Sequence, residues 1–168
     1  MSKIKIGIIC MAVFLAISLL LESSAFPEES DHPVDKAMAV YALNISSPII
    51  VSFSIGTIIA FPGESFKPDR HHGPWGRGLL LQIEPGVAGG KVGIGYADKS
   101  GMGGHGIKGV LLRTWGEPWL ADENATYVGV EAFAHMGGFR LGVGPLYRIT
   151  DAEDASRWSV ILGIGMGF

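Results

Sequence analysis

Charged side chains are sparse in the second half of this chain, and several recur at alternate positions of otherwise apolar segments. Gln82, Glu84, Lys91, Arg113, Glu131, His135, Arg140, Arg148 and Arg157 are read on the polar parity of such segments, with the facing of Lys108 left open. Two kinds of chemistry suit a set like this. One is a catalytic or ligand-binding constellation. The other is a group of internal ion pairs, because charges in a low-dielectric space need partners whether or not they react. The second requires nothing beyond burial and is the expectation adopted: an interior polar network of Glu84, Lys91, Arg113, Glu131, His135, Arg140 and Arg148. Glu131 and Arg140 are candidate partners across the Gly137-Gly138 turn. Equal counting from that turn sets His135 opposite Arg140 and Glu131 opposite Gly144, so the pair needs a shifted register or a long lean of the arginine.

Hydrolytic chemistry requires a nucleophile hydrogen-bonded to its base. Glu131 and His135 are similar to part of the Ser/His/Glu arrangement of outer-membrane lipid A deacylases. Those enzymes carry the serine two positions after the histidine, where this chain has Gly137, and the nearest inward-parity serine is Ser159. No catalytic residue is assigned, and a lipid-modifying hydrolase remains a minor alternative. Asp69-Arg70-His71-His72 sits in a Gly/Pro-rich segment, where a solvated loop explains it more simply than a metal site with three or four convergent ligands. No metal and no cofactor are expected.

The segments that must position these residues alternate with period two, as a strand does when it shows its side chains to opposite faces. From Arg157 to Phe168, Trp158, Val160, Leu162, Ile164, Met166 and Phe168 share one parity, against Arg157, Ser159, Ile161 and three glycines on the other. The pattern recurs over residues 138–149, 126–136, 79–87, 91–96 and 49–61. Residues 106–115 are blurred by Lys108 and Arg113, which suggests a bulge. These are seven strands. An eighth is sought in Ala37 to Leu43, since closed single-chain barrels usually have an even count. Gly89-Gly90 and Gly137-Gly138 read as hairpin turns, and residues 62–77, 98–105, 116–125 and 150–156 as loops. The uncharged stretch 37–63 is long enough for a spanning helix, but its β-branched alternation and its Ser and Pro content argue against one.

Composition bounds the class. Of 168 residues 17% are charged and 25 are glycine, which is low charge for an exported soluble domain. Lys3, Lys5, an apolar run to Leu21 and Ser23-Ser24-Ala25 read as a signal peptide cleaved after Ala25. Beyond it 11 basic face 15 acidic residues and no cysteine occurs, which argues against a nucleic-acid partner and excludes disulfides. The expected organisation is a signal peptide (1–25), a linker (26–36) and an all-β domain (37–168), an antiparallel up-and-down β-barrel of about eight strands.

The closing strand that ends on Phe168, together with the small inward parity, resembles the small outer-membrane β-barrel proteins of Gram-negative bacteria. That resemblance implies a location in the bacterial outer membrane and contact with outer-membrane lipid. It also implies recognition by the barrel-assembly machinery through the terminal strand. Trp75, Trp115, Trp119, Tyr127, Tyr147 and Trp158 would then form interfacial girdles. The expected role is structural or surface-interacting, with no catalysis. A periplasmic or secreted soluble barrel binding an apolar ligand is the alternative.

Overall fold

The structure is a computed structural model and describes residues 36–67, 74–151 and 157–167. The expected signal peptide, the linker up to residue 35, the His71-His72 pair and Phe168 lie outside the described residues. Eight strands follow one another: β1 (Ala37–Ser47), β2 (Ile50–Ala60), β3 (Trp75–Gly86), β4 (Gly89–Ser100), β5 (Gly103–Thr114), β6 (Thr126–Met136), β7 (Phe139–Arg148) and β8 (Trp158–Gly167). Each pairs antiparallel with its neighbours, and β8 returns to β1, so the sheet is a closed up-and-down barrel. Closure gives every strand two neighbours and removes the free edges of an open sheet.

The register fixes the shape. From Ala37, cross-strand partners lead through Ile59, Leu79, Tyr96, Ile107, Ala132, Val143 and Leu162 and return to β1 at Ser47, ten residues along. With strands ~4.8 Å apart and ~3.3 Å per residue, that stagger tilts eight strands by ~40° and leaves an interior just wide enough for side chains.

Several expectations change at the residue level. The eighth strand is a full one, Ala37–Ser47, and residues 37–60 form the β1–β2 hairpin, so the spanning helix is ruled out. The turn expected at Gly89-Gly90 is at Val87-Ala88, and both glycines begin β4. They are glycines for want of room: a Cβ on Gly89 would lie 2.5 Å from Ile49 Cγ2, and one on Gly90 would lie 2.9 Å from the Trp115 ring. Residues 98–105 are no loop. β4 and β5 run on to a two-residue link at 101–102, with Gly101 at a φ of +61°. No bulge interrupts β5 either, since its pairing with β4 is continuous from Gly89↔Thr114 to Ser100↔Gly103.

Two ends can be distinguished. At the near end β1 begins and β8 finishes, and the links are 61–74, 101–102 and 137–138. At the far end are 48–49, 87–88, 115–125 and 149–157. The interior is layered. Ile58, Phe66, Leu80 and Ala97 pack together towards the near end, with Phe66 supplied by the long link. Ile49, Val110, Leu112, Ala125, Tyr127, Leu146 and Ile161 pack together towards the far end. Between these apolar clusters the inward positions are charged, polar or glycine.

Candidate functional site: an ionic cluster inside the barrel

The middle layer is assembled by register. Glu84 on β3 faces Lys91 on β4, and Lys108 on β5 faces Glu131 on β6, each as a direct cross-strand pair. Inward parity then turns all four side chains into the same space. Lys91 Nζ lies 2.7 Å from Glu131 Oε2 and 3.2 Å from Glu84 Oε2. Lys108 Nζ lies 3.3 Å from Glu131 Oε2 and donates to Gln82 Oε1. Arg140 Nη2 completes the set, 3.0 Å from Glu131 Oε1. Ser52 Oγ donates to the remaining oxygen of Glu84 at 2.7 Å. The side chains of Glu84, Lys91, Lys108 and Glu131 are no more than 3% exposed. Charges so deeply buried hold only because every carboxylate oxygen has a donor.

Glycines make the room. Glu131 leans across β7 towards Arg140, over Gly142, where a Cβ would sit 2.9 Å from Glu131 Oε1. That diagonal reach, with no register shift, closes the pair, because His135 and Arg140 are direct partners as equal counting requires. Lys108 lies along β4 in the same way, where a Cβ on Gly93 would meet its Cδ at 3.0 Å. The Arg140 guanidinium also stands 4.9 Å from the Phe133 ring centre, a cation–π contact.

Not every residue of the expected network joins it. Arg113 is a correction: it faces outward, is exposed, and donates Nη1 to Thr126 Oγ1 at 2.9 Å. Lys108 faces inward on the even parity of β5 and Arg113 outward on the odd, which is why the two together blurred the pattern. Arg148 points into the far end, where Nη1 holds Asp122 Oδ2 of the 115–125 segment at 2.7 Å. His135 sits near the opposite rim with its Nε2 3.1 Å from Lys99 Nζ. Ser159 Oγ donates to Leu120 O at the far end, so the described serine of the Ser/His/Glu comparison and His135 are at opposite ends of the barrel. Sequence reasoning missed Lys99 because it lay in a supposed loop; carrying the inward parity of β4 on from Lys91 through Ala97 reaches it.

Among the described residues no group of three His, Asp or Glu side chains converges as a metal site. The interior is nearly full. One space of about 40 Å³ lies towards the near end, and one of about 10 Å³ adjoins the ionic cluster. Ser46 Oγ, buried and without a hydrogen-bond partner, belongs to a residue lining the smaller one. What the arrangement does chemically is to lock five strands, β3 to β7, together from inside and block the lumen. No family model matches this chain, and no curated protein or solved structure matches it.

Proposed function

We propose that the protein is an integral β-barrel of the bacterial outer membrane, with an occluded lumen and a structural or surface-interacting role. The observation that carries this reading is the outward face. Leu43, Ile45, Ile55, Leu81, Ile83, Ile94, Ile107, Leu111, Val130, Leu141, Leu162 and Ile164 are among the large apolar side chains exposed around all eight strands. The outward charged and histidine positions, Arg77, Asp98, His105 and Arg113, fall towards strand ends. A soluble monomer rarely exposes a continuous apolar patch beyond a few hundred Å², and a belt around a whole barrel exceeds that.

The height of the belt fits a bilayer. Phe139 and Tyr147 bound it on the outward face of β7, eight residues apart, so at ~3.3 Å per residue and ~40° tilt they stand ~20 Å apart along the axis. Tyr147 stacks edge-on against Trp158, and Trp115 and Trp119 are exposed at the same end. Tyr41, Phe61, Trp75 and Phe139 are exposed towards the other. Aromatic residues concentrate at membrane–water interfaces because their rings suit the headgroup layer.

The filled lumen argues against a general pore, and against a soluble barrel that encloses a whole apolar ligand. A lipid hydrolase draws no support from His135, whose Nε2 faces Lys99. Surface interaction has a physical basis at the far end. There the 115–125 segment is pinned by Arg148–Asp122 and by Trp119 N donating to Pro48 O at 3.1 Å, and it presents exposed Trp119 and Leu120. Lipid would cover the belt, and β8 would carry the signal read by the assembly machinery.

The mature chain is expected to require detergent for solubility and to migrate faster on gels when unheated than when boiled. A monomer with full β-sheet content in detergent-free buffer would overturn the proposal.

A further inference from the structure

The strands that close the barrel stand apart from the ionic cluster. Its charges come from β3 to β7, and Ser52 adds β2 through its bond to Glu84. β1 and β8 carry no charged side chain at all. At the level of the cluster, Ser46 on β1 faces Gly163 on β8, and Gly163 faces Gly142 on β7. A Cβ on Gly163 would lie 2.8 Å from Ser46 Cβ, and one on Gly142 would lie 2.9 Å from Glu131 Oε1. Two paired inward glycines therefore leave a gap, with the Ser46 side chain on one side and the Glu131 carboxylate on the other.

Six polar side chains, Asn44, Ser46, Glu84, Lys91, Glu131 and Arg140, line the space of about 10 Å³ there. Ser46 is 4% exposed and its Oγ has no hydrogen-bond partner. A hydroxyl so placed has lost its bonds to bulk water and gained none, which is unfavourable. The volume is that of a single water-sized occupant. The lining selects its character. A monatomic cation would face Lys91 and Arg140, and an anion would face Glu84 and Glu131. A neutral molecule that both donates and accepts suits both signs. Dry cavities are apolar, and the only large apolar side chains here are Ile161 and Ile164.

We infer that this space is a binding site for one ordered water molecule, which fastens the closing seam of the barrel to the ionic cluster. The water accepts from Ser46 Oγ and donates to a carboxylate of the cluster. β1 is thereby joined to the layer that holds β3 to β7, and a bridge of this kind is nearly as good as a direct hydrogen bond.

The test combines diffraction from the folded chain crystallised in bromide with urea unfolding and amide hydrogen exchange of wild type and Ser46→Ala. Circular dichroism confirms that the variant is folded. The wild type is expected to show one density peak within hydrogen-bond distance of Ser46 Oγ, with no anomalous signal from bromide. Ser46→Ala is expected to unfold at a lower urea midpoint. Its β1 and β8 amides should exchange about three- to tenfold faster, the loss of one net hydrogen bond, with those of β3 and β4 unchanged. A hydroxyl that truly lacks a partner predicts the opposite sign, because its removal relieves a buried unsatisfied group. No density peak, a bromide signal at the site, or a midpoint at or above wild type would each overturn the inference. So would amide exchange that quickens equally in all strands. The space exists whatever surrounds the barrel, so this result is independent of the gel and solubility test above.

Discussion

Glu131→Leu should cost the folded barrel about 3–5 kcal/mol, the penalty of removing one partner from a buried ion pair and leaving the other uncompensated. Glu131 is the hub. It meets Lys91, Lys108 and Arg140, so its loss leaves two buried lysines and the part-buried Arg140 against Glu84 alone. The measurement is urea unfolding in detergent, read by tryptophan fluorescence. The double variant Glu131→Leu/Lys108→Met separates charge from packing, because removing one charge of each sign restores the wild-type excess of a single cation. It should be more stable than Glu131→Leu by at least ~1 kcal/mol, a coupling expected of contacting residues. If Glu131→Leu unfolds within ~0.5 kcal/mol of wild type, the cluster does not hold the strands together.

The second large effect belongs to the outer face. Val143→Arg places a charge on β7 midway between Phe139 and Tyr147, at a position 52% exposed. In a bilayer this should cost about 2–4 kcal/mol, falling to ~0–1 kcal/mol for an arginine near an interface such as Tyr147→Arg. If the same face met water, a surface substitution would change stability by no more than ~0.5 kcal/mol. The two environments therefore give different answers for one residue. Folding into vesicles against urea, with both variants beside wild type, measures the difference.

The barrel was most legible where the outward residues are large and the inward ones small. β7 and β8 alternate Leu141, Val143, Leu162 and Ile164 with Gly142, Gly144, Gly163 and Gly165, and a Gly-Gly pair joins β6 to β7. Alternation fades wherever the interior is itself apolar. Inward Met38 and Val40 hide β1, because they pack against the near-end cluster while Ala37 and Ala39 outside are small. Inward Val110 and Leu112 do the same to β5. Strand ends beyond the belt were misread for the opposite reason. Arg77, Asp98, Lys99 and Ser100 look like loop residues, yet they are paired in register at the near end, where polar side chains reach solvent or the rim.

The ionic cluster was half legible. Inward parity identified Glu84, Lys91, Glu131 and Arg140, and the turn count identified the diagonal that Arg140 must span. It could not orient Lys108, because period two needs an unambiguous apolar face and β5 has apolar residues on both. Nor could it see the space around the charges. The roles of Gly93 and Gly142 follow from side chains on other strands, and no local pattern encodes that.

The central claim is that the bulky parity faces hydrocarbon, and a spin label at Val143→Cys in lipid vesicles tests it most directly. Cys10 is the chain's one cysteine and lies within the expected signal segment, so the mature chain carries a single labelling site. The account predicts a label readily reached by dissolved oxygen and shielded from a water-soluble nickel complex, with the reverse at Leu120→Cys in the far-end segment. A label at 143 as open to the nickel complex as the one at 120 would contradict it.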